Sequence, residues 1–162
     1  MAINRGKDFE NVIREAFKQD PYVSIDRLYD TMSGYKGNAN ICDFIVYRYP
    51  TQYYIECKSC YGNTFPYSNI TRNQWDGLLR KSRIKGVIAG YIIWFIDHDE
   101  TIFLPATDAM QLRDQYGHKS FNITKWDKED WYHFKGKKKQ IFFDYNMSDF
   151  FKKINKEYDK WD

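Results

Sequence analysis

The 162-residue chain has few cysteines and prolines, three and four respectively, and no long apolar run. An odd cysteine count and an N-terminus with no apolar stretch behind its charges argue against a secreted, disulfide-linked protein. The longest apolar run, from Gly86 to Ile96, is too short to cross a membrane as a helix. These absences predict a cytoplasmic protein with no membrane partner.

Aromatic residues, in contrast, are abundant, with 14 Tyr, 12 Phe and 5 Trp. One small core cannot bury them all, so many tyrosines should lie at the surface, where a ring can stack on a base. The net charge is only +3, but lysines cluster at 135–139 and again at 152–156. Each cluster alone fits a solvated surface as well as it fits a nucleic-acid contact.

Hydrophobic periodicity predicts an alternation of helices and strands. The predicted elements are a helix around 9–17, a strand at 23–28, a loop at 33–40, a hairpin of strands 43–49 and 52–58, a loop at 61–69, a helix from Thr71 to about Ser82, a buried strand at 86–96, a strand at 101–104, a helix at 107–116, an irregular stretch at 119–139, a strand at 141–145, and a helix capped by Ser148 that runs to about Tyr158. This order indicates an α/β fold with a mixed central sheet flanked by helices. The length predicts a single domain over residues 1–162.

Two acids and a lysine converge in the predicted hairpin. Glu56 and Lys58 are two residues apart on one strand and therefore share a face. If the strands pair through the turn at Pro50, Asp43 lies beside Glu56 or Lys58. Carboxylate oxygens are ligands for Mg²⁺, so the cluster is suited to a divalent cation. On spacing alone, however, an ordinary surface salt bridge is the more common explanation.

The wider context of these residues resembles a known nuclease family. Asp43, twelve intervening residues and Glu56-Cys57-Lys58 match the D-x(n)-E-x-K signature of the PD-(D/E)XK nucleases. The segment Arg5-Gly-Lys-Asp-Phe-Glu10 resembles the first-helix motif of RecU-type Holliday-junction resolvases. Asn63-Thr64-Phe65-Pro66 and Gln74 are similar to the loop and helix that follow the lysine in those proteins. The resemblance covers roughly residues 4–105 and implies a restriction-endonuclease-like fold.

The resemblance also implies a role for each matching residue. Asp43 and Glu56 would hold a metal ion, and Lys58 would orient the nucleophile. Glu10 would be an accessory acid, and Gln74 would face the site from its helix. The main-chain carbonyl of Cys57 is a further expected metal ligand. The expected ion is Mg²⁺, with Mn²⁺ able to substitute.

The expected activity is hydrolysis of phosphodiester bonds at a four-way DNA junction. Two symmetric cuts are needed to resolve a junction, which predicts a homodimer with two-fold symmetry. The residues expected to contact DNA are Arg5, Tyr35, Lys36, Lys137, Lys138 and Lys139. Two departures put the branched substrate in question: Cys42 stands where the signature has proline, and the stretch at 30–40 is shorter than the stalk of RecU proteins.

Other functions fit the same residues. A restriction-type or replication-associated nuclease of the same superfamily would share the site, and a non-catalytic DNA-binding module could share the fold. Cys57-Lys-Ser-Cys60 has the spacing of a zinc motif, but it lacks two further ligands at a suitable spacing. A zinc site is therefore not expected.

Overall fold

A computed structural model describes residues 4–29 and 40–158 of the chain. Within these ranges the helices are α1 (Arg5–Lys18), α2 (Arg72–Ser82), α3 (Ala106–Asp114) and α4 (Met147–Tyr158). The strands are β1 (Ser24–Arg27), β2 (Phe44–Arg48), β3 (Thr51–Cys60), β4 (Thr64–Pro66), β5 (Val87–Phe95), β6 (Glu100–Pro105), β7 (Ser120–Asn122), β8 (Tyr132–His133), β9 (Gly136–Lys139) and β10 (Phe142–Tyr145). No helix among these residues is long and apolar enough to span a membrane.

The main sheet has the strand order β1-β2-β3-β5-β6-β8. Strands β3 and β5 run parallel, and the other neighbours pair antiparallel. Helices α1 and α4 pack on one face through Phe9, Phe17 and Phe150. Helices α2 and α3 pack on the other face, where Trp75 and Leu112 lie in a second core. This layered arrangement confirms the predicted mixed sheet flanked by helices.

The two parallel strands lie at the centre of the sheet because their sequences can be buried on both faces. Every residue of β5 after Val87 is buried, which confirms the predicted central strand. In β3, Ile55 and Cys57 point into the α1/α4 core. Tyr54 packs on the α2/α3 core, so the alternation of β3 turns its even-numbered side chains toward α2.

Helix α2 approaches the sheet closely at Gly77. A Cβ at this position would lie 2.3 Å from Cγ2 of Ile41, well inside contact distance. The missing side chain therefore lets α2 pack against the segment that enters β2. Because Ile41 precedes Asp43 by two residues, this contact also fixes the approach to the predicted catalytic hairpin.

Three predictions about local structure were wrong. The predicted loop at 61–69 contains β4 and a 3₁₀ turn at Tyr67–Asn69. The stretch predicted as irregular contains β7, β8 and β9, of which β7 pairs with β4 and β9 pairs with β10. Strands β4, β7 and β8 have only two or three residues, too few to show a period, and β9 is Gly-Lys-Lys-Lys with no apolar side chain. Ser148 lies inside α4, and its N–H donates to the side chain of Asn146, which performs the capping role predicted for Ser148.

Several tyrosines lie at the surface, as the composition predicted. The exposed ones include Tyr22, Tyr29, Tyr49, Tyr61 and Tyr116. Of the predicted loop at 33–40, residues 33–39, which include Tyr35 and Lys36, lie outside the described residues.

Candidate active site

The pairing of β2 with β3 places Asp43 opposite Glu56. The ladder ends where Phe44 pairs with Ile55. Asp43 and Glu56 are the next residues along the two strands, so they lie side by side. The main-chain N–H of Asp43 donates to the carbonyl of Ile55 at 3.1 Å. The carboxylate of Asp43 accepts from the main-chain N–H of Cys57 at 2.9 Å. The hairpin itself therefore fixes the position of the first acid.

Glu56 is 5 % exposed and has two donors on one oxygen. Its Oε1 atom accepts from Nε2 of Gln74 at 2.8 Å and lies 3.3 Å from Nζ of Lys58. Helix α2 holds Gln74 in place because Thr71 and Gln74 form a capping box at its start. Asp43, Glu56, Lys58 and Gln74, four of the predicted site residues, thus meet at one place.

The two acids carry more negative charge than their surroundings neutralise. Burial, followed by the charge of Asp43, raises the pKa of Glu56 to about 8. Burial also raises the pKa of Asp43, against the opposing effects of the Cys57 N–H and Lys58. The two carboxyl groups lie on adjacent strands, close enough for the charge of Asp43 to raise the pKa of Glu56. Two neighbouring carboxyls that are largely shielded from water favour a shared proton or a cation between them.

Glu10 approaches the same place from α1. Burial and then the charge of Asp43 raise the pKa of Glu10, and Arg27 opposes the shift. The Oε2 atom of Glu10 lies 2.7 Å from Nη2 of Arg27. Arg27 was not among the residues predicted from the sequence, although it lies near the end of the strand predicted at 23–28. The structure therefore adds Arg27 to the residues near the acids.

The donor set fits a divalent cation that retains water. In the described ranges, no three His, Cys, Asp or Glu side chains converge closely enough to form a complete metal cage. Two carboxylates are nevertheless present, and Mg²⁺ is commonly bound by one or two carboxylates with several waters. The ladder with β2 ends at Ile55, and peptide orientation alternates along a strand, so the carbonyl of Cys57 faces the same side as its N–H. Asp43, Glu56 and this carbonyl could together hold the ion.

The residues predicted to contact DNA lie on two elements. Arg5 is the first residue of α1, and its Nη1 atom is buried with no hydrogen-bond partner among the described residues. Lys137, Lys138 and Lys139 form the exposed strand β9. Lys138 pairs with Asp99 at 2.8 Å, and Lys139 pairs with Asp144 at 3.4 Å.

A mixed sheet in which two acids and a lysine meet at one hairpin, here β2 and β3, is typical of nucleases with a restriction-endonuclease-like fold. A family model described as "Recombination protein U" matches residues 20–149. The chain therefore belongs to the RecU family of Holliday-junction resolvases. The match extends well past residue 105, where the resemblance seen in the sequence ended. It begins after α1, so Arg5 and Glu10 lie outside it.

Among solved structures, the chain is similar to Hjc, a Holliday junction resolvase from the archaeal hyperthermophile Archaeoglobus fulgidus, determined at 1.6 Å resolution. The TM-score is 0.45 with 18 % sequence identity, over 63 % of this chain and 78 % of Hjc. No curated protein sequence matches the chain.

Proposed function

We propose that this RecU-family resolvase cuts four-way DNA junctions by Mg²⁺-dependent hydrolysis of phosphodiester bonds. The family supports junction resolution by a metal-dependent nuclease. The identity of the ion, the residues that hold it and the assembly of the protein are the proposed parts. Mn²⁺, which accepts the same oxygen ligands, is expected to replace Mg²⁺.

The observation that carries the proposal is the placement of the partly buried Asp43 beside the buried Glu56 at the end of the β2–β3 ladder. Two acids in this arrangement destabilise the fold unless a cation or a proton lies between them. Their oxygens and the Cys57 carbonyl would hold the ion. A bound divalent cation supplies a water of lowered pKa and offsets charge on the phosphate.

The neighbouring side chains would orient the reactants. Lys58 contacts Glu56 from the same face of β3, so its ammonium can position the attacking water or the phosphate oxygen beside the acids. Gln74 holds the Glu56 carboxylate in one orientation. Glu10 would act as an accessory acid, and its ion pair with Arg27 keeps it from turning away from the site.

DNA would be held through its backbone by Arg5 and by Lys137, Lys138 and Lys139. The ion pairs of Lys138 and Lys139 are exposed and therefore cost little to exchange for phosphates. Tyr35 and Lys36 are further proposed contacts. A homodimer would place two such sites at the two strands that a symmetric resolution cuts. We assign all of residues 1–162 to one nuclease domain.

The test is cleavage of a synthetic four-way junction, a duplex and a single strand by the purified protein. Each substrate is incubated with Mg²⁺, Mn²⁺, Ca²⁺ or EDTA. We expect symmetric cuts in the junction with Mg²⁺ or Mn²⁺ and binding without cutting in EDTA. Cleavage in EDTA would contradict the metal requirement, and a sequence-dependent cut in the duplex would favour a restriction-type enzyme.

The site assignment is tested by Asp43→Asn and Glu56→Gln, each of which removes a charged ligand and little volume. Both variants should bind the junction in Ca²⁺ and fail to cut it in Mg²⁺. Asp26→Asn is the matched control, because Asp26 is an exposed acid on β1. If Asp43→Asn or Glu56→Gln cuts as fast as this control, the acids have been assigned wrongly.

A further inference from the structure

Two cavities on the α2/α3 side of the sheet share one wall. The larger has a volume of about 430 Å³ and is lined by Tyr116, His118, Trp126, Trp131 and Asp108, among others. The smaller has a volume of about 220 Å³ and is lined by Thr64, Asn122, Lys119 and Lys125, together with the same His118 and Trp126. An aromatic cavity and a basic cavity therefore meet at two shared side chains.

The rings of the larger cavity form a connected series. The centroids of Tyr116 and His118 are 6.1 Å apart, those of His118 and Trp126 are 6.3 Å apart, and those of Trp126 and Trp131 are 5.8 Å apart. Trp126 also stacks on the buried Phe121, which holds it in place. Tyr116 is 62 % exposed, so one ring is available to a ligand at the mouth of the cavity. Such a wall is suited to a flat aromatic ligand.

The charged side chains of the two cavities differ in sign, so the two cavities suit different parts of a ligand. Lys119 and Lys125 are exposed and contact no carboxylate within residues 4–29 and 40–158, unlike Lys138 and Lys139. Asp108 contributes a carboxylate to the aromatic cavity alone. An anionic group is therefore attracted to the smaller cavity and repelled from the larger.

One residue of the smaller cavity, Thr64, lies close along the chain to the proposed catalytic residues. Thr64 begins β4, which pairs with β7 and follows β3 directly. Thr64 is the sixth residue after Lys58, so their Cα atoms are at most about 22 Å apart. This span corresponds to about six nucleotides of a helical strand. A strand held at the cavities can therefore continue to the acids.

We propose that the paired cavities bind one unstacked nucleotide of a DNA strand. The base enters the aromatic cavity between Tyr116 and Trp126, and its phosphate lies beside Lys119 and Lys125. The ligand is a single-stranded or opened part of the DNA, because a paired base cannot leave its stack without cost. The inference rests on the proposed function only in taking DNA as the substrate.

The experiment measures binding in Ca²⁺, without cutting, to a labelled eight-nucleotide single strand and to a duplex of equal length. Tyr116→Ala should weaken single-strand binding about tenfold, since base stacking on one ring typically contributes a factor of that order. The Lys119→Ala, Lys125→Ala double variant should weaken it and reduce the salt dependence by about 0.7 in slope, the value for one phosphate on a single strand. Duplex binding should fall less in both variants.

The controls are Tyr22→Ala, which removes a tyrosine 78 % exposed, and Lys152→Ala with Lys153→Ala, which removes two exposed lysines from α4. Circular dichroism and thermal unfolding of each variant confirm the fold. Equal loss of duplex and single-strand binding would reduce the cavities to a charged surface and overturn the proposal. Affinities equal to those of the controls would overturn it too. So would equally tight binding of free dAMP, which would indicate a small-molecule site.

Junction cleavage in Mg²⁺ by the wild type is measured separately. A protein that binds single strands through these residues but never cuts would contradict the proposed nuclease activity and leave the nucleotide site in place. A protein that cuts junctions but shows no effect of Tyr116→Ala on binding would overturn the nucleotide site and leave the proposed nuclease activity in place.

Discussion

Gln74 links the start of α2 to the buried acid Glu56. Its Nε2 atom donates to Oε1 of Glu56 at 2.8 Å, and its own side-chain oxygen accepts from the main-chain N–H of Thr71 at 3.1 Å. The same side chain therefore caps a helix and orients an acid. Because the cap fixes the amide group, the Glu56 carboxylate has a donor in a constant position.

Gln74→Ala should slow junction cleavage and also destabilise the protein. Half of the capping box is lost, which typically costs about 1 kcal/mol, and Glu56 loses a donor. Thr71→Ala is the matched control, since it removes the other half of the cap and leaves the Gln74 side chain present. We expect similar losses in chemical denaturation, with the cleavage rate reduced at least about tenfold in Gln74→Ala alone. Equal rates would show that Gln74 has a structural role only.

Lys58→Ala should remain slow at saturating Mg²⁺. The acids are retained, but the reacting groups lose an ammonium that orients them, an effect typically of about 10²–10⁴-fold. The measurement is the single-turnover cleavage rate as a function of Mg²⁺ concentration. Recovery of the wild-type rate at high Mg²⁺ would mean that Lys58 acts on metal affinity rather than on the reaction.

Glu56→Gln should stabilise the protein in EDTA above neutral pH. The pKa of Glu56 is about 8 in the folded state and near 4.5 in the unfolded state, so folding favours its protonated form. The free energy of unfolding of the wild type should therefore fall as pH rises from about 4.5 to about 8, and then level off. Gln carries no charge and should remove this dependence, a gain on the order of 1–3 kcal/mol at pH 8.

Urea unfolding of the wild type and Glu56→Gln from pH 5 to pH 9 checks this prediction. Asp26→Asn again serves as the control, because it removes an exposed carboxyl on β1 in place of the buried one. A wild-type protein that becomes more stable with rising pH, relative to Glu56→Gln, would show that Glu56 is ionised without penalty in the fold.

Residues 33–40, predicted from the sequence as a loop with Tyr35 and Lys36, should contribute to junction binding. Residues 33–39 lie outside the described residues, and the stretch directly precedes the segment that leads into β2. A tyrosine can stack on an unpaired base, and a lysine can neutralise a phosphate. The Tyr35→Ala, Lys36→Ala double variant should lose more affinity for a junction than for a duplex of equal length, as measured by gel shift in Ca²⁺. Equal losses of affinity for the junction and the duplex would show that these residues contribute only positive charge to DNA binding.

The hairpin and its acids could be predicted from the sequence because strand periodicity is exact. A period of two fixes the shared face of Glu56 and Lys58, and a tight turn at Pro50 fixes the register that brings Asp43 to Glu56. The central position of β5 followed from its apolar residues on both faces. Patterns of this kind extend over several consecutive residues, so the sequence of one strand is enough to predict which face each side chain lies on.

The rest depended on contacts between segments distant in sequence. The pairing of β4 with β7 joins residues 64–66 to residues 120–122, and neither strand is long enough to show a period. The ion pair of Glu10 with Arg27 joins α1 to β1, and nothing local to either residue specifies it. The aromatic cavity is built in the same way, from residues on both sides of β7.

In the Glu56-Cys57-Lys58 motif, the two outer positions require particular side chains, whereas position 57 contributes through its main chain. The chain uses the main-chain N–H of Cys57 to hold Asp43, while the thiol points into the core on the opposite face of the sheet. Any apolar side chain of similar volume can therefore replace the cysteine during evolution without moving the acids. Proline is excluded there, since it has no N–H to donate.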